Sequence, residues 1–420
     1  MERFNNLKEF TLKYILYFFP LLIILGNAVV NFAFVLIFLL YFSSCLIEKK
    51  IVFRETYEFK YFFFFYIYLI LNSLLAENVV TSLTRSIPYV KYFIFVLIFK
   101  SLIEDGKINI KRLGYFWFFI ILFLSLDIIY QSIYGYDIFN YVSIYESRNS
   151  GFFFDELVAG GFLVSFVFLT IFLIKKQNNN NFFYLIIVFF TTVVFLTGER
   201  ANFLDFLLIL ICVYVFCIKT NLLFKFLSII IFILILSLLI SNFDSFKGRY
   251  LSSISYSENT NLNLLDTYLT SEYGSHSLSS LLIFKDNFLF GVGNKNFRIS
   301  CNKYKNEVIE FQKKKNFGNP FDLDGIRYPG GCATHPHQIY NEFLSEHGLI
   351  GTILILFIIY KLIFKSLSFQ EKNNLNIVCL FYIIIHFIPI LPSGSFFSTL
   401  PSTFFWTNYL FYIANIKNND

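Results

Sequence analysis

Long apolar runs follow one another along almost the whole chain, and they limit the possible folds more than any other sequence feature. Of the 420 residues, 56% are hydrophobic and only 15% are charged. A water-soluble protein of this length has too little interior to bury so much apolar surface, whereas one bilayer crossing takes about 20 apolar residues. The sequence therefore predicts an all-α polytopic membrane protein.

About twelve segments are apolar enough to be predicted as membrane-spanning helices. Several are shorter than the ideal length, so tilt or a re-entrant pair would have to compensate. No small-residue cleavage site follows the first run, which we interpret as a signal anchor. The predicted spans are 12–25, 28–47, 61–75, 87–103, 113–133, 157–174, 182–197, 203–218, 224–241, 348–366, 375–391 and 403–416.

The positions of the basic residues predict the orientation. The short gaps on one side of the predicted spans hold 19 of the 34 Lys and Arg residues, and those on the other side hold 4. Because cytoplasmic loops carry the surplus of positive charge, both termini are predicted to be cytoplasmic. The same surplus accounts for the net charge of +6 without a nucleic-acid partner.

This orientation divides the chain into three parts. Residues 1–241 form a bundle of about nine spans, residues 242–347 form one large outward-facing loop, and residues 348–420 return to the membrane. Loops of this length are typically functional or disordered. Apolar stretches and four of the five histidines lie in this one, so we expect it to fold and to carry the chemistry.

The strongest local pattern in the loop is Thr334-His335-Pro336-His337-Gln338-Ile339-Tyr340-Asn341. Thr334 suits a helix N-cap and Pro336 a first helical turn, so a helix is expected to begin here. Its amino end would favour an anion, and a neutral imidazole could take a proton from a sugar hydroxyl. The alternative is that the histidines only cap the helix. A metal site is disfavoured, because side chains two residues apart on a helix point to different sides.

Three further outer segments contain charges of interest. Gly198-Glu199-Arg200 places an arginine at the membrane boundary, where it could bind phosphate, contact lipid headgroups or pair with a nearby carboxylate. Gly291-Val292-Gly293 precedes Lys295 and Arg298, although local evidence favours a plain loop with solvated charges. The segment from Arg148 to Glu156 brings a cation and two carboxylates to the start of the sixth span.

Cys301 and Cys332 both lie in the outer loop, on the side where disulfides persist. We expect them to be paired, which would close a loop worth about 3 kcal/mol by chain-entropy reasoning. The pair would join the Gly-Val-Gly turn to the His-Pro-His segment.

Together these motifs resemble the O-antigen ligase/polymerase family of membrane glycosyltransferases in bacterial surface-polysaccharide synthesis. The resemblance rests on Gly198-Glu199-Arg200, on the Gly291-Val292-Gly293 turn with Phe297, and on the segment from His335 to Gly351. It implies a GT-C-like architecture in the inner membrane, with the active site on the periplasmic side. It also implies transfer of a glycan from an undecaprenyl-pyrophosphate donor to a sugar hydroxyl, on lipid A-core or on another glycan, without metal or cofactor.

The resemblance also suggests roles for residues. His337 would be the base or acceptor-orienting group, with His335 as its substitute, and Arg200 and Arg298 would bind the pyrophosphate. A second arginine that the family usually has upstream of the Gly-x-Gly turn is replaced here by the segment Tyr273-Gly274-Ser275-His276, and Gln338 stands where the family commonly has Asn. Residues proposed to fill the missing or supporting roles are Arg249, Lys285, His276, Asn341, Tyr340 and Glu156.

Ligase and polymerase share donor, face and catalytic groups, so the sequence does not separate them. Transfer of the glycan to protein is a third choice of acceptor. A flippase or transporter of lipid-linked oligosaccharide is an alternative of a different class, but it would be expected to carry charges deep within its spans. A sensor or scaffold is the least favoured interpretation. The chain has neither a Walker loop nor a Mg²⁺-type acidic cluster, which disfavours an ATP-driven or nucleotide-sugar enzyme.

Overall fold

The computed structural model describes residues 2–49, 53, 56–143, 148–174, 180–218, 222–242, 265, 268–269, 271–314, 330–368 and 373–415. Within these ranges the chain is helical, with one isolated β-bridge between Tyr136 and Val142 and no strand. Short 3₁₀ turns cover Ile87–Tyr89 and Gly151–Phe153. The α-helices are α1 (Glu2–Tyr17), α2 (Phe19–Ile24), α3 (Asn27–Glu48), α4 (Tyr57–Leu74), α5 (Val79–Ser86), α6 (Val90–Glu104), α7 (Ile110–Tyr134), α8 (Ala159–Ile174), α9 (Asn180–Leu196), α10 (Arg200–Phe216), α11 (Leu222–Asn242), α12 (Glu272–Asp286), α13 (Phe297–Lys314), α14 (Ile339–Ser368), α15 (Asn374–His386) and α16 (Thr399–Ile413).

Every predicted span overlaps at least one of these helices. The described residues are all-helical, and their several apolar helices fit the predicted polytopic membrane protein. Among the described residues, four helical stretches are long and apolar enough to cross a bilayer on their own: Asn27–Glu48, Val79–Glu104, Ile110–Tyr134 and Ile339–Phe364. Shorter apolar helices occur at Ala159–Ile174, Phe183–Leu196 and Asn374–His386. The number of spans, their orientation and the three-part division of the chain stay predictions.

Local signals set the ends of the helices. Helix α7 begins after Asn109, whose side chain accepts a hydrogen bond from the Arg112 amide at 2.9 Å, and it ends at Gly135 with a left-handed φ of 82°. These are the side-chain cap and the glycine stop that leave fewest unsatisfied groups at a helix end.

Helices α8 and α16 lie at the centre of the bundle. Both are buried along nearly their whole length, as expected of helices surrounded by other helices, and α8 is apolar on almost every side. Helix α8 packs on α7, α15 and α16, and α16 packs on α6 and α15. The indole of Trp406 in α16 donates to the hydroxyl of Tyr89 at 3.0 Å, which fixes the turn between α5 and α6.

Helix α14 is broken at Gly348, and the segment 288–293 crosses it there. Gly348 has φ 65° and ψ −170°, and a Cβ on it would lie 2.5 Å from the Leu289 backbone, so only glycine fits. The crossing segment provides hydrogen-bond partners for backbone groups near the break. Leu349 N donates to Phe288 O at 2.8 Å, and Val292 N donates to Ser345 O at 3.0 Å. The Gly-Val-Gly turn is thereby fixed against the helix that follows the histidine motif.

Candidate active site

The histidine motif lies on a loop, and the prediction that a helix begins at Thr334 is wrong. Helix α14 begins at Ile339, and the Gln338 side chain accepts from the Asn341 amide at 2.7 Å, as a cap would. The residue before a proline is disfavoured in helical geometry, and His337 has a left-handed φ of 54°. Thr334 instead contacts His335, with its Oγ1 3.0 Å from Nδ1.

This loop brings three histidines together. The ring centroids of His335 and His337 are 4.0 Å apart, and the ring of His276 stacks on that of His337 at 5.3 Å. The side chains of His335 and His337 were expected to point to different sides of a helix. That expectation is wrong, because the two residues lie on a loop. His276 comes from α12, and Tyr273, one turn earlier, places its ring 5.7 Å from His337. We call His276, His335 and His337 the histidine cluster.

Burial keeps the imidazoles of the cluster neutral. It lowers the pKa of His276 to about 4, with a further contribution from the charge of His337. It also lowers the pKa of His337, although the Glu272 carboxylate acts in the opposite direction. The pKa of His335 is the most strongly lowered, by burial, by the other two histidines and by the charges of Lys295 and Arg298. A neutral imidazole can accept a proton, which is what a general base requires.

Acidification is therefore expected to destabilise the protein. Between pH 6.5, the ordinary pKa of histidine, and about 4, the pKa of His276, the unfolded chain binds more protons than the folded one. Stability should be fully present above about pH 6.5 and decrease as the pH falls through this window, by about 1 kcal/mol or more for His276. Thermal unfolding in detergent at a series of pH values measures the effect. The His276→Gln variant should show a smaller acid-induced decrease, and an equal decrease would contradict the assignment.

Asn341 and Tyr340, expected to support the site, both make hydrogen bonds to neighbouring elements. Asn341 Nδ2 donates to Ser277 Oγ at 2.7 Å, which joins the start of α14 to α12 beside His276. The hydroxyl of Tyr340 donates to the Phe387 carbonyl at 2.8 Å, at the end of α15. Both contacts hold the loop in place; a direct role with substrate stays a prediction.

The Gly-Val-Gly turn is not a plain solvated loop, because it buries Lys295. The exposed fraction of the Lys295 side chain is 3%, and its ammonium group lies 3.7 Å from the Glu342 carboxylate, which is also buried. Ser395 contacts both groups, and Ser398 accepts from Lys295 Nζ at 3.0 Å. The main-chain amides of Lys295 and Phe297 donate to the Glu346 carboxylate at 2.7 and 3.2 Å.

Sequence reasoning missed this Lys295–Glu342–Ser395 cluster, although Lys295 and Glu342 stand in segments that it singled out. The available signal was a pair of carboxylates, Glu342 and Glu346, one turn apart in a helix that continues as an apolar run. Lys295 and His337 both adopt positive φ values, which L-residues rarely do, and such strain is concentrated at functional sites.

Removing Lys295 alone should be strongly destabilising, because it leaves Glu342 buried without a counter-charge. We expect Lys295→Met to cost about 3–5 kcal/mol, the usual penalty for breaking a buried ion pair. The double variant Lys295→Met/Glu342→Gln should recover much of that loss. Thermal unfolding of the single and double variants in detergent measures the coupling, and strictly additive effects would show that the two groups do not interact.

A cavity of about 690 Å³ lies between α3, the α5–α6 region, α13 and the turn before α16. Four cations line it, and the single carboxylate among its lining residues is Glu156. Of these cations Lys295 is paired with Glu342; within the described part of the chain Arg85, Lys91 and Arg298 make no ion pair with a carboxylate. The Nε of Arg298 is buried and has no hydrogen-bond partner. Two of the lining residues, Lys295 and Arg298, are close enough to His335 for their charges to lower its pKa, so the histidine cluster is within electrostatic range of the cavity.

Helix α3 contributes two polar residues, Asn27 and Asn31, to the lining of the cavity. Lys91 Nζ donates to Asn31 Oδ1 at 2.6 Å, and Asn27 Nδ2 donates to Glu156 Oε1 at 2.8 Å. Arg85 and Lys91 are two of the four basic residues in the predicted outer gaps, and the sequence analysis used them only to orient the chain. Because so few basic residues fall in these gaps, their presence there was the signal that could have identified them as candidate site residues.

The structure does not place Arg200 with the other predicted site residues. It is exposed at the first position of α10 and, among the described residues, is not part of the cavity lining. Its turn lies near the cavity. The buried carboxylate of the neighbouring Glu199 accepts a hydrogen bond from the Gly160 amide at 2.8 Å, and Val158, two residues before Gly160, lines the cavity. Burial raises the pKa of Glu199 to about 7. Arg249 lies outside the described residues.

Cys301 and Cys332 form a disulfide in the structure, with Cα atoms 5.2 Å apart. The bond joins α13, one turn after Arg298, to the loop that leads into His335. The oxidised state in the cell stays a prediction, which mass spectrometry of membranes prepared with an alkylating agent checks; recovery of both thiols in alkylated form would contradict it.

Comparison with known proteins identifies a family over part of the chain. Residues 185–356 match the model of the family described as O-antigen ligase. The match covers both the Gly198-Glu199-Arg200 turn and the segment that carries Gly291, Lys295, Arg298 and the histidine cluster. No curated protein matches the chain.

Proposed function

We propose that the protein transfers a glycan from a polyprenyl-pyrophosphate donor to a sugar hydroxyl, because residues 185–356 match the model of the O-antigen ligase family. The reaction takes place at the periplasmic face of the bacterial inner membrane, and both termini are cytoplasmic. The observation that supports this best is the cationic cavity beside a cluster of neutral histidines. A diphosphate needs the first feature, and a hydroxyl nucleophile needs the second.

The diphosphate of the donor binds in the cavity, where Arg298, Arg85 and Lys91 supply positive charge. Arg298 suits the role best, because its buried Nε lacks a partner and a guanidinium can bind two phosphate oxygens at once. Lys295 contributes less, since Glu342 already offsets its charge. Arg200 is an auxiliary ligand at the outer turn.

The acceptor hydroxyl attacks the anomeric carbon of the donor, and His337 takes its proton. A glycosidic bond forms, the bond between the anomeric carbon and the phosphate oxygen breaks, and the lipid diphosphate leaves with the electron pair. The cations stabilise the negative charge that develops on the leaving oxygen, and this is typically the largest catalytic contribution. Holding donor and hydroxyl side by side supplies much of the remainder. The scheme assigns no step to a metal or cofactor.

A flippase is the second candidate, because the cavity reaches Asn31 and Lys91, which lie inside the apolar stretches Asn27–Glu48 and Val79–Glu104. A transporter would use such polar groups within the membrane to pass the charged head of a lipid. Transfer to protein differs from the leading proposal only in the acceptor.

Profiling the glycans of a deletion strain separates these functions. Single repeat units left on the lipid carrier at the periplasmic face indicate a polymerase, and full-length chains on the carrier indicate a ligase. Loss of glycan from proteins alone indicates a protein transferase. Lipid-linked units trapped on the cytoplasmic side indicate a flippase and would contradict the proposal, as would an unchanged glycan profile.

A further inference from the structure

Three consecutive large apolar side chains are half-exposed in the middle of the outer loop. The exposed fractions of Phe288, Leu289 and Phe290 are 48%, 51% and 50%. These residues belong to the turn between α12 and the Gly-Val-Gly motif, in a segment whose sequence position predicts contact with water. Contiguous exposed apolar surface on a folded protein marks an interaction site.

Three carbonyl groups of this turn accept hydrogen bonds from other parts of the protein. The carbonyls of Phe288 and Leu289 accept from the amides of Leu349 and Ile350 at 2.8 and 3.2 Å. The carbonyl of Phe290 accepts from Asn72 Nδ2 at 3.1 Å. A surface loop in water can leave carbonyls to the solvent, whereas irregular backbone at membrane depth must find its partners within the protein.

The exposed side chains are continuous with two apolar surfaces of neighbouring helices. On α14, Ile350 and Ile353 are 45% and 60% exposed within the membrane-crossing stretch Ile339–Phe364. At the end of α4, Leu71 and Leu74 are each 54% exposed, and Asn72 between them binds the turn. Charged residues lie at both ends of the turn. Lys285 and Asp286 are exposed at the end of α12, and the ion pair of Glu77 and Lys303 lies beside Gly291 and Val292.

We propose that residues 288–290 are immersed in the acyl chains of the bilayer, close to the surface from which segment 242–347 emerges. The segment is then not wholly extramembranous: it returns to the lipid through this turn, and Lys285 and Asp286 lie at the headgroup level. The occupant of the apolar surface is lipid. Through the break at Gly348, the same turn fixes the Gly-Val-Gly motif at membrane depth.

Quenching by brominated lipids tests this directly. The two native tryptophans, Trp117 and Trp406, are fully buried and give a constant background. A tryptophan is introduced by Leu289→Trp, and the protein is reconstituted into vesicles of phosphatidylcholine brominated on the acyl chain. The positive control is Ile353→Trp on α14, and the negative control is Asn306→Trp at an exposed position of α13.

The loss of emission from Leu289→Trp should match that of Ile353→Trp, and aqueous iodide should not quench it. Asn306→Trp should show the reverse pattern. Quenching of position 289 by iodide but not by brominated lipid would overturn the proposal, and so would protection from both quenchers, which indicates a protein partner. Phe290→Trp repeats the measurement with a conservative exchange, so that a folding defect of the first variant does not decide the result.

Discussion

Replacing His337 by alanine should lower the rate of glycan transfer by about 10²–10⁴-fold, the usual contribution of a general base. The ring of His337 contacts those of His335 and His276, and burial favours its neutral form, which can accept a proton. Initial rates of the purified protein in vesicles, with a lipid-diphosphate glycan as donor, measure the effect. His337→Gln, which keeps a polar side chain but no base, should be equally impaired.

The pH profile separates a base from a merely structural residue. The ordinary pKa of histidine is 6.5, and that of His337 is lowered. The wild-type rate should therefore not yet decline at pH 6.5, and its acid limb should lie at lower pH. Glu272 favours the protonated form, so Glu272→Gln should move the acid limb to lower pH. A normal rate in His337→Ala combined with loss of activity in His335→Ala would transfer the role of base to His335 and contradict the assignment.

Replacing Arg298 by alanine should reduce the transfer rate by about 10²–10³-fold, comparable to removing one preorganised group from a charge-stabilising site. Its side chain lines the cavity and its buried Nε has no partner in the protein. Arg298→Lys should restore only part of the rate, because an ammonium group cannot reproduce the two-point contact of a guanidinium with a diphosphate.

Arg200→Ala is the matched comparison for this experiment. Arg200 is exposed and stands outside the cavity lining, so its replacement should cost less than that of Arg298. The same rate assay, with thermal unfolding as the folding control, measures both variants. A normal rate for Arg298→Ala together with a large loss for Arg200→Ala would show that the diphosphate binds at the outer turn and not in the cavity.

Sequence patterns predicted the helices well and their starts less well. Continuous apolar runs predict helices such as α3 and α7 within a few residues, because each run must satisfy its backbone internally in lipid. The start of α14 was misplaced because Thr334 and Pro336 resemble a cap and a first turn. The left-handed backbone of His337 prevents a helix from running from Thr334 into α14, and no local sequence pattern indicates this backbone conformation.

The candidate site was predicted in part. His335, His337 and Arg298 were identified from motifs, and His276 as a possible substitute for a missing cation. That His276 contacts His337 depends on the packing of α12 against α14, across 61 positions of sequence. The burial of Lys295 depends on Glu342 and Ser395, which come from two different elements. Pairings over such separations leave no periodic signal in a single sequence.

The sequence by itself determined the class of the protein, since more than half of its residues are hydrophobic and no water-soluble interior of this size can hold them. It also determined which short motifs carry ionisable groups. The tertiary structure decided which of these groups meet: the break at Gly348 admits the Gly-Val-Gly turn, which buries Lys295 beside Glu342 and places Arg298 at the cavity. The physical reason is that apolar burial acts on each segment locally, whereas a charge in a dry interior is stable only beside a partner that the fold supplies from elsewhere.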